Sequence, residues 1–250
     1  MKITDSNSQL WLKISHSINI LKYLLLAPLI LSSVTLASAD PLEVTHLNDQ
    51  INKVRASVTQ AEELIKRQAP EARFIHREDR LGPALILGMD LTFDASSPQQ
   101  RAEEFIKRFK GLWGLMEIQL EEAQSRKGRT VFTLRGSIDG LQLLNQDSRL
   151  SIMGEKIQHL SNGMGALAVI HRASITQENA EISVRKEVSK TEGLNLEIKL
   201  ARRGIISHVP GIAFEVFEFS VADITTLRSK RVLVDGRDGV VIEIREGEVR

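Results

Sequence analysis

The feature that most constrains this chain is a change of hydrophobic period that occurs twice. A helical pattern gives way to alternation with period two, and then the same order returns. Ser97-Pro98-Gln99-Gln100 reads as a capping box with Pro at the first helical position, followed by Ala102, Phe105, Ile106 and Phe109 on one face. Gly111 and Gly114 close that helix. Alternation then takes over in Val131-Phe132-Thr133-Leu134, with Asp139-Gly140 as a hairpin signal. Leu141 to Leu143 and Arg149 to Ile152 continue the sheet, Ile157 to Leu160 adds a strand, and Asn162-Gly163 and Gly165 break the run. Thr176 then caps a helix carrying Ala180, Val184 and Val188, with strands at Leu194 to Leu200, Ile212 to Val221, Arg231 to Asp235 and Val240 to Ile244. Two short strands are also expected within 72–93, around Arg80-Leu81-Gly82-Pro83. A helix followed by a meander, twice, predicts an α+β fold with a helix across an antiparallel sheet in each unit. The repeat is one of element order rather than of residues.

A long helix is expected ahead of both units. Asp40-Pro41-Leu42-Glu43 opens it, and Pro70 ends it. Val44, Leu47, Ile51, Val54, Val58, Ala61 and Ile65 recur at 3-4-3-4 spacing, which makes a narrow heptad seam on an otherwise polar helix. The seam suits either the rest of its own chain or a second copy, with residues 44–65 as the homodimer contact. Three heptads with Ala61 in the seam make a marginal coiled coil by themselves.

The first forty residues read as an address. Lys2, Lys13 and Lys22 precede the uncharged run Leu24 to Ala37, and Ala37-Ser38-Ala39 supplies small residues for a signal peptidase. The run is short for a membrane span, so cleavage before Asp40 and export to a periplasm or the medium are expected, with no stable span afterwards. The expected organisation is a signal peptide over 1–39, a heptad helix over 40–69, and helix-plus-sheet units over 70–165 and 166–250.

Composition narrows the chemistry. There is no cysteine, which excludes disulfides, thiolate nucleophiles and Cys-ligated metals. The net charge is +1, and removing residues 1–39 leaves 30 basic and 31 acidic residues, so nothing favours a nucleic-acid partner. His46, His76, His159, His171 and His208 include no pair at metal-ligand spacing, and no His-Glu-x-x-His, Gly-x-Ser-x-Gly or phosphate loop occurs. Asp235 and Asp238 beside Gly236 and Gly239 read as a tight turn rather than a calcium loop, and His208 before Val209-Pro210 as a loop residue. Neither an enzyme nor a cofactor is expected.

Ala102-Glu-Glu-Phe-Ile-Lys-Arg-Phe-Lys-Gly-Leu-Trp-Gly-Leu115 is a helix ending in a Leu-aromatic-Gly-Leu turn, and Arg129-Thr-Val-Phe-Thr-Leu-Arg-Gly136 and Asp139-Gly-Leu-Gln-Leu-Leu144 supply the strands that follow. In this order they resemble the first domain of the fungalysin/thermolysin propeptide family, and the resemblance covers about residues 70–246. Leu150 to Gly154 and Ile157 to Gly163 fit the next two strands. Ile175-Thr-Gln-Glu-Asn-Ala180, Ala213-Phe-Glu-Val216 and Val232 to Ile242 resemble the PepSY-like half of such propeptides. The family's central-strand aromatic and Gln are replaced by Leu134 and Arg135, and the heptad arm has no counterpart. The sequence reaches Arg250 without a metallopeptidase domain. The resemblance implies cystatin-like units and a non-catalytic protein that binds a secreted thermolysin-type metalloprotease as inhibitor or folding chaperone. It also implies that the tail Glu243 to Arg250 leads toward the partner's active-site cleft, where Glu246 or Glu248 approaches the zinc. The expected partner-binding residues are therefore Glu243, Glu246, Glu248 and Arg250, together with Val44, Leu47, Ile51 and Val54 of the seam. The alternative is an envelope scaffold that self-associates through the heptad helix.

Overall fold

A computed structural model describes residues 41–190, 195–226 and 228–246. The signal segment, Asp40, Leu194, Glu248 and Arg250 lie outside the described residues. The chain divides into compact units 1–48 and 49–250. Helix α1 (Pro41–Gln68) begins in the first and continues into the second. The second unit is α+β, with two helices each laid on a mostly antiparallel sheet.

The first sheet contains β1 (Arg73–His76), β2 (Pro83–Leu87), β3 (Leu91–Thr92), β4 (Glu117–Arg126), β5 (Arg129–Ile138), β6 (Leu141–Gln142), β7 (Ser148–Met153) and β8 (Lys156–Asn162). Its order is β1-β2-β8-β7-β5-β4, with β3 beside β8 and β6 beside β5. Helix α2 (Pro98–Arg108) lies against it. The Ser97 hydroxyl accepts from the Gln100 N–H at 3.2 Å, as the cap signal requires. The reciprocal half of the box is shifted by one residue: the Gln100 side chain accepts from the N–H and hydroxyl of Ser96.

The helix period places Ala102, Phe105 and Phe109 fully inside, while Ile106 is half-buried. Phe105 packs on Phe109 with ring centroids 5.0 Å apart and meets Trp113 edge-on at 6.2 Å. Leu134, Leu150, Ile152 and Leu160 complete this core from the sheet side. The heptad seam contributes too. Ala61 and Ile65 are buried in the same core, and Val58 is buried with Leu81 and Ala166 while Ile51 and Val54 pack half-buried against them. A 3-10 turn, Lys110–Trp113, leads to Gly114 at φ 62°. A Cβ there would lie 2.1 Å from the Leu167 carbonyl oxygen, so the Leu-Trp-Gly-Leu turn needs its glycine for space as well as for conformation.

The second sheet contains β9 (Val169–His171), β10 (Leu196–Val209), β11 (Ile212–Asp223), β12 (Arg228–Asp235) and β13 (Val241–Glu246). Strands β10 to β13 form a meander, and β9 runs parallel to the start of β11. Helix α3 (Gln177–Val188) is capped by Thr176, whose hydroxyl accepts from Asn179 N–H at 3.3 Å. It buries Ala180, Val184 and Val188 on Phe217, Phe219, Val232 and Val234. His208 falls in the last turn-ward residues of β10 rather than in a loop, because β10 extends to the Pro210-Gly211 hairpin.

The two sheets meet within the second unit. Ile205 and Ala213 of the second sheet enter the first core beside Leu143, and Leu144 N–H donates to Ile205 O at 2.9 Å. Glu215 is buried, paired to Arg203 and 3.9 Å from Arg172, which also pairs with Asp139 in the turn between β5 and β6.

Candidate functional site

The open end of the second sheet is the most distinctive surface. Strand β13 pairs with β12 on one side and, among the described residues, with no strand on the other. The pairing sets Val232 against Ile244, Leu233 against Glu243 and Val234 against Val241, leaving Ile242 as one extra residue in β13. Val232 and Val234 face α3, so Ile244 shares the helix face. Glu243 and Arg245 lie on the opposite face.

The backbone direction follows from one bond. Asp235 N–H donates to Val240 O at 2.9 Å, so Asp235 points at β13, and alternation makes Leu233 and Arg231 do the same. Their partners Glu243 and Arg245 therefore spend their N–H and C=O groups on β12. The main-chain groups of Ile244 and Glu246 point away, along the open edge.

Side chains make this edge apolar on the helix side. Val240, Ile242 and Ile244 are 58%, 36% and 44% exposed. Helix α3 stops short of covering them and leaves a groove of about 470 Å³, walled by Ser183, Lys186, Glu187 and Lys190 and floored by residues Gly239 to Ile244. Lys190 is tied to Glu187 at 2.5 Å, whereas Lys186 has no acidic partner among the described residues. On the other face Arg245 holds Glu243 with two bonds of 2.5 and 2.7 Å, and the Glu243 carboxylate keeps the guanidinium pKa above its ordinary value.

The other sheet edges are protected. Strand β4 exposes Glu117, Gln119 and Glu121 at alternate positions, and the free half of β10 exposes Glu197 and Lys199. Strand β1 is four residues long, with His76 bonded to Glu62 of α1 at 3.0 Å.

The hairpin that leads into β13 is tied together by its own carboxylates. Asp235 accepts from Arg237 N–H and from both Nε and Nη2 of Arg237, and Asp238 accepts from Val240 N–H. Burial pushes the Asp235 carboxyl up, but these bonds to Arg237 outweigh it and hold the carboxyl below its ordinary value. The two carboxylates are thus spent on the turn. Among the described residues no three His, Asp or Glu side chains gather as a metal site. No described helix is long and apolar enough to cross a membrane.

The expected site residues fall on two elements. Glu243 and Glu246 lie on β13, at the open edge; Glu246 is exposed, whereas Glu243 is half-buried and held by Arg245. Val44 and Leu47 lie half-buried on α1, while Ile51 and Val54 pack on Leu81 and Ala166. The residues not anticipated are Ile242, Ile244, Ser183, Lys186 and Lys190. The available signal was that the last strand of a meander has an unpaired edge and here carries isoleucines rather than charges at alternate positions.

No family model and no curated protein matches the chain. Among solved structures, the Bacillus megaterium YpeB C-terminal domain is similar at 14% identity and a TM-score of 0.33, over 67% of this chain and 73% of that one. A likeness at that level assigns no function.

Proposed function

We propose that this chain is an exported, non-catalytic, propeptide-like protein that binds a thermolysin-type metallopeptidase as inhibitor or folding chaperone, with β13 as its docking edge. The observation that carries the reading is the uncovered apolar edge of β13 beside the α3 groove. An extended segment laid there gains main-chain bonds from Ile244 and Glu246, and its side chains find the groove floor. The resemblance of residues 70–246 to metallopeptidase propeptides supplies the class of partner, and the Lys-flanked apolar run before Asp40 supplies the export.

Inhibition at nanomolar strength needs about −12 kcal/mol. One added strand does not bury the roughly 1,600 Å² of a standard interface, so flanking surface must contribute. The test is titration of the exported chain into a secreted thermolysin-type peptidase. Stoichiometric loss of peptidase activity identifies an inhibitor, and a raised refolding yield of the denatured peptidase identifies a chaperone. If the chain changes neither, the reading fails.

A further inference from the structure

The edge of β13 is also self-complementary. In an antiparallel pair, residues directly opposite lie on the same face. A two-fold axis normal to the sheet therefore pairs helix-face residues of one copy with helix-face residues of the other, so the axis passes through a residue pair. Only a few registers bring the outward-pointing groups together. An axis at Glu243 sets two carboxylates face to face, and one at Arg245 sets two guanidinium groups face to face. Directly opposed like charges oppose pairing. An axis at Ile242 leaves Glu243 against Val241. An axis at Ile244 sets Glu243 opposite Arg245 of the second copy, and Arg245 opposite its Glu243.

That last register satisfies the other features of the edge. Ile244, whose N–H and C=O point outward, meets Ile244 as a hydrogen-bonded pair. Ile242 stands opposite Glu246 of the second copy on the groove face. That places the Glu246 carboxylate beside the helix wall that holds Lys186, which has no acidic partner among the described residues. The apolar floors of the two grooves become continuous.

We propose that β13 pairs antiparallel with β13 of a second copy, centred on Ile244, joining two four-stranded meanders into one sheet held by reciprocal Glu243–Arg245 ion pairs. This goes beyond the peptidase reading and does not depend on it. Because partner strand and second copy use the same edge, a dimer of this kind is the closed form of the binding site. The occupant is set by charge register. A heterologous strand would have no reason to match Glu243 and Arg245 in reverse order, whereas a second copy does so by symmetry.

The experiment is sedimentation equilibrium of the exported chain across roughly 1–300 µM, on the wild type and three variants. The expected result is a concentration-dependent dimer. Glu243→Arg alone and Arg245→Glu alone each place like charges opposite one another and weaken it by about tenfold or more. The double variant E243R/R245E restores the reciprocal pairs in swapped order and recovers dimerisation to within about threefold. Thermal melts confirm that each variant remains folded. A wild type that stays monomeric throughout overturns the proposal and leaves the edge to a partner strand. A dimer that neither single reversal weakens also overturns it, since the contact then lies elsewhere, as on α1. Failure of the double variant to recover overturns the register.

Discussion

The two helix-on-sheet units use the same order of elements and close their cores to different extents. Helix α2 brings Phe105 and Phe109 to its sheet, backed by Trp113, and α1 adds Ala61 and Ile65. Helix α3 brings Ala180, Val184 and Val188. Aromatic side chains reach across several strands, so the first sheet is covered. Small aliphatic side chains hold α3 close over β11 and β12, and of β13 they cover Val241 but leave Ile242 and Ile244 exposed. The size of the residues on one helix face therefore sets how much of the sheet below is covered.

The largest effect should come from breaking the closed unit. Phe105→Ala should cost about 4 kcal/mol in denaturant unfolding, against roughly half of that for Val184→Ala in the open one. Equal losses would contradict the difference in packing. Next comes the turn that presents β13. Asp235→Asn should cost about 2 kcal/mol at neutral pH, since it removes a charge that accepts from three donor groups of Arg237. The folded carboxyl is held below its unfolded pKa. Its contribution is thus present above the unfolded value and is lost as pH falls through the lower, folded value. The gap in stability between wild type and variant should close in acid; a gap that persists there would contradict the pairing. The smallest effect on stability belongs to the edge itself. Ile244→Pro removes an N–H that points away from β12, so it should change unfolding by no more than about 0.5 kcal/mol. It should nevertheless abolish both peptidase binding and self-association. A large loss of stability would mean that Ile244 faces β12 instead. Separately, export predicts Asp40 as the first residue when the secreted chain is sequenced from its N-terminus.

Much of the fold could be read locally. Ser97 and Thr176 mark helix starts because their hydroxyls satisfy free N–H groups, and β5 and β12 alternate because one face of each is buried. Strand β4 was not anticipated. Its Glu-Ile-Gln-Leu-Glu-Glu sequence uses good helix formers, and pairing with β5 overrides that preference. Strand β9 is three residues long and depends on β11, some forty residues away, so no local pattern marks it. The candidate site was legible only in part. Glu243 and Glu246 are expected from the tail that follows the last strand, whereas Ile242 and Ile244 read only as residues of that strand. Alternation gives the face of a strand and is silent about whether a neighbour lies at its edge.

The most direct measurement is amide hydrogen exchange along β13 in dilute solution, compared with β5. Amides of Phe132 and Leu134 should open only with global unfolding. Those of Glu243 and Arg245 should be protected by β12, while the Ile244 amide exchanges nearly as an open chain and slows when protein concentration rises or a peptidase is added. An Ile244 amide already as protected as Glu243 in the dilute monomer would show the edge to be covered, and would contradict β13 as the docking edge.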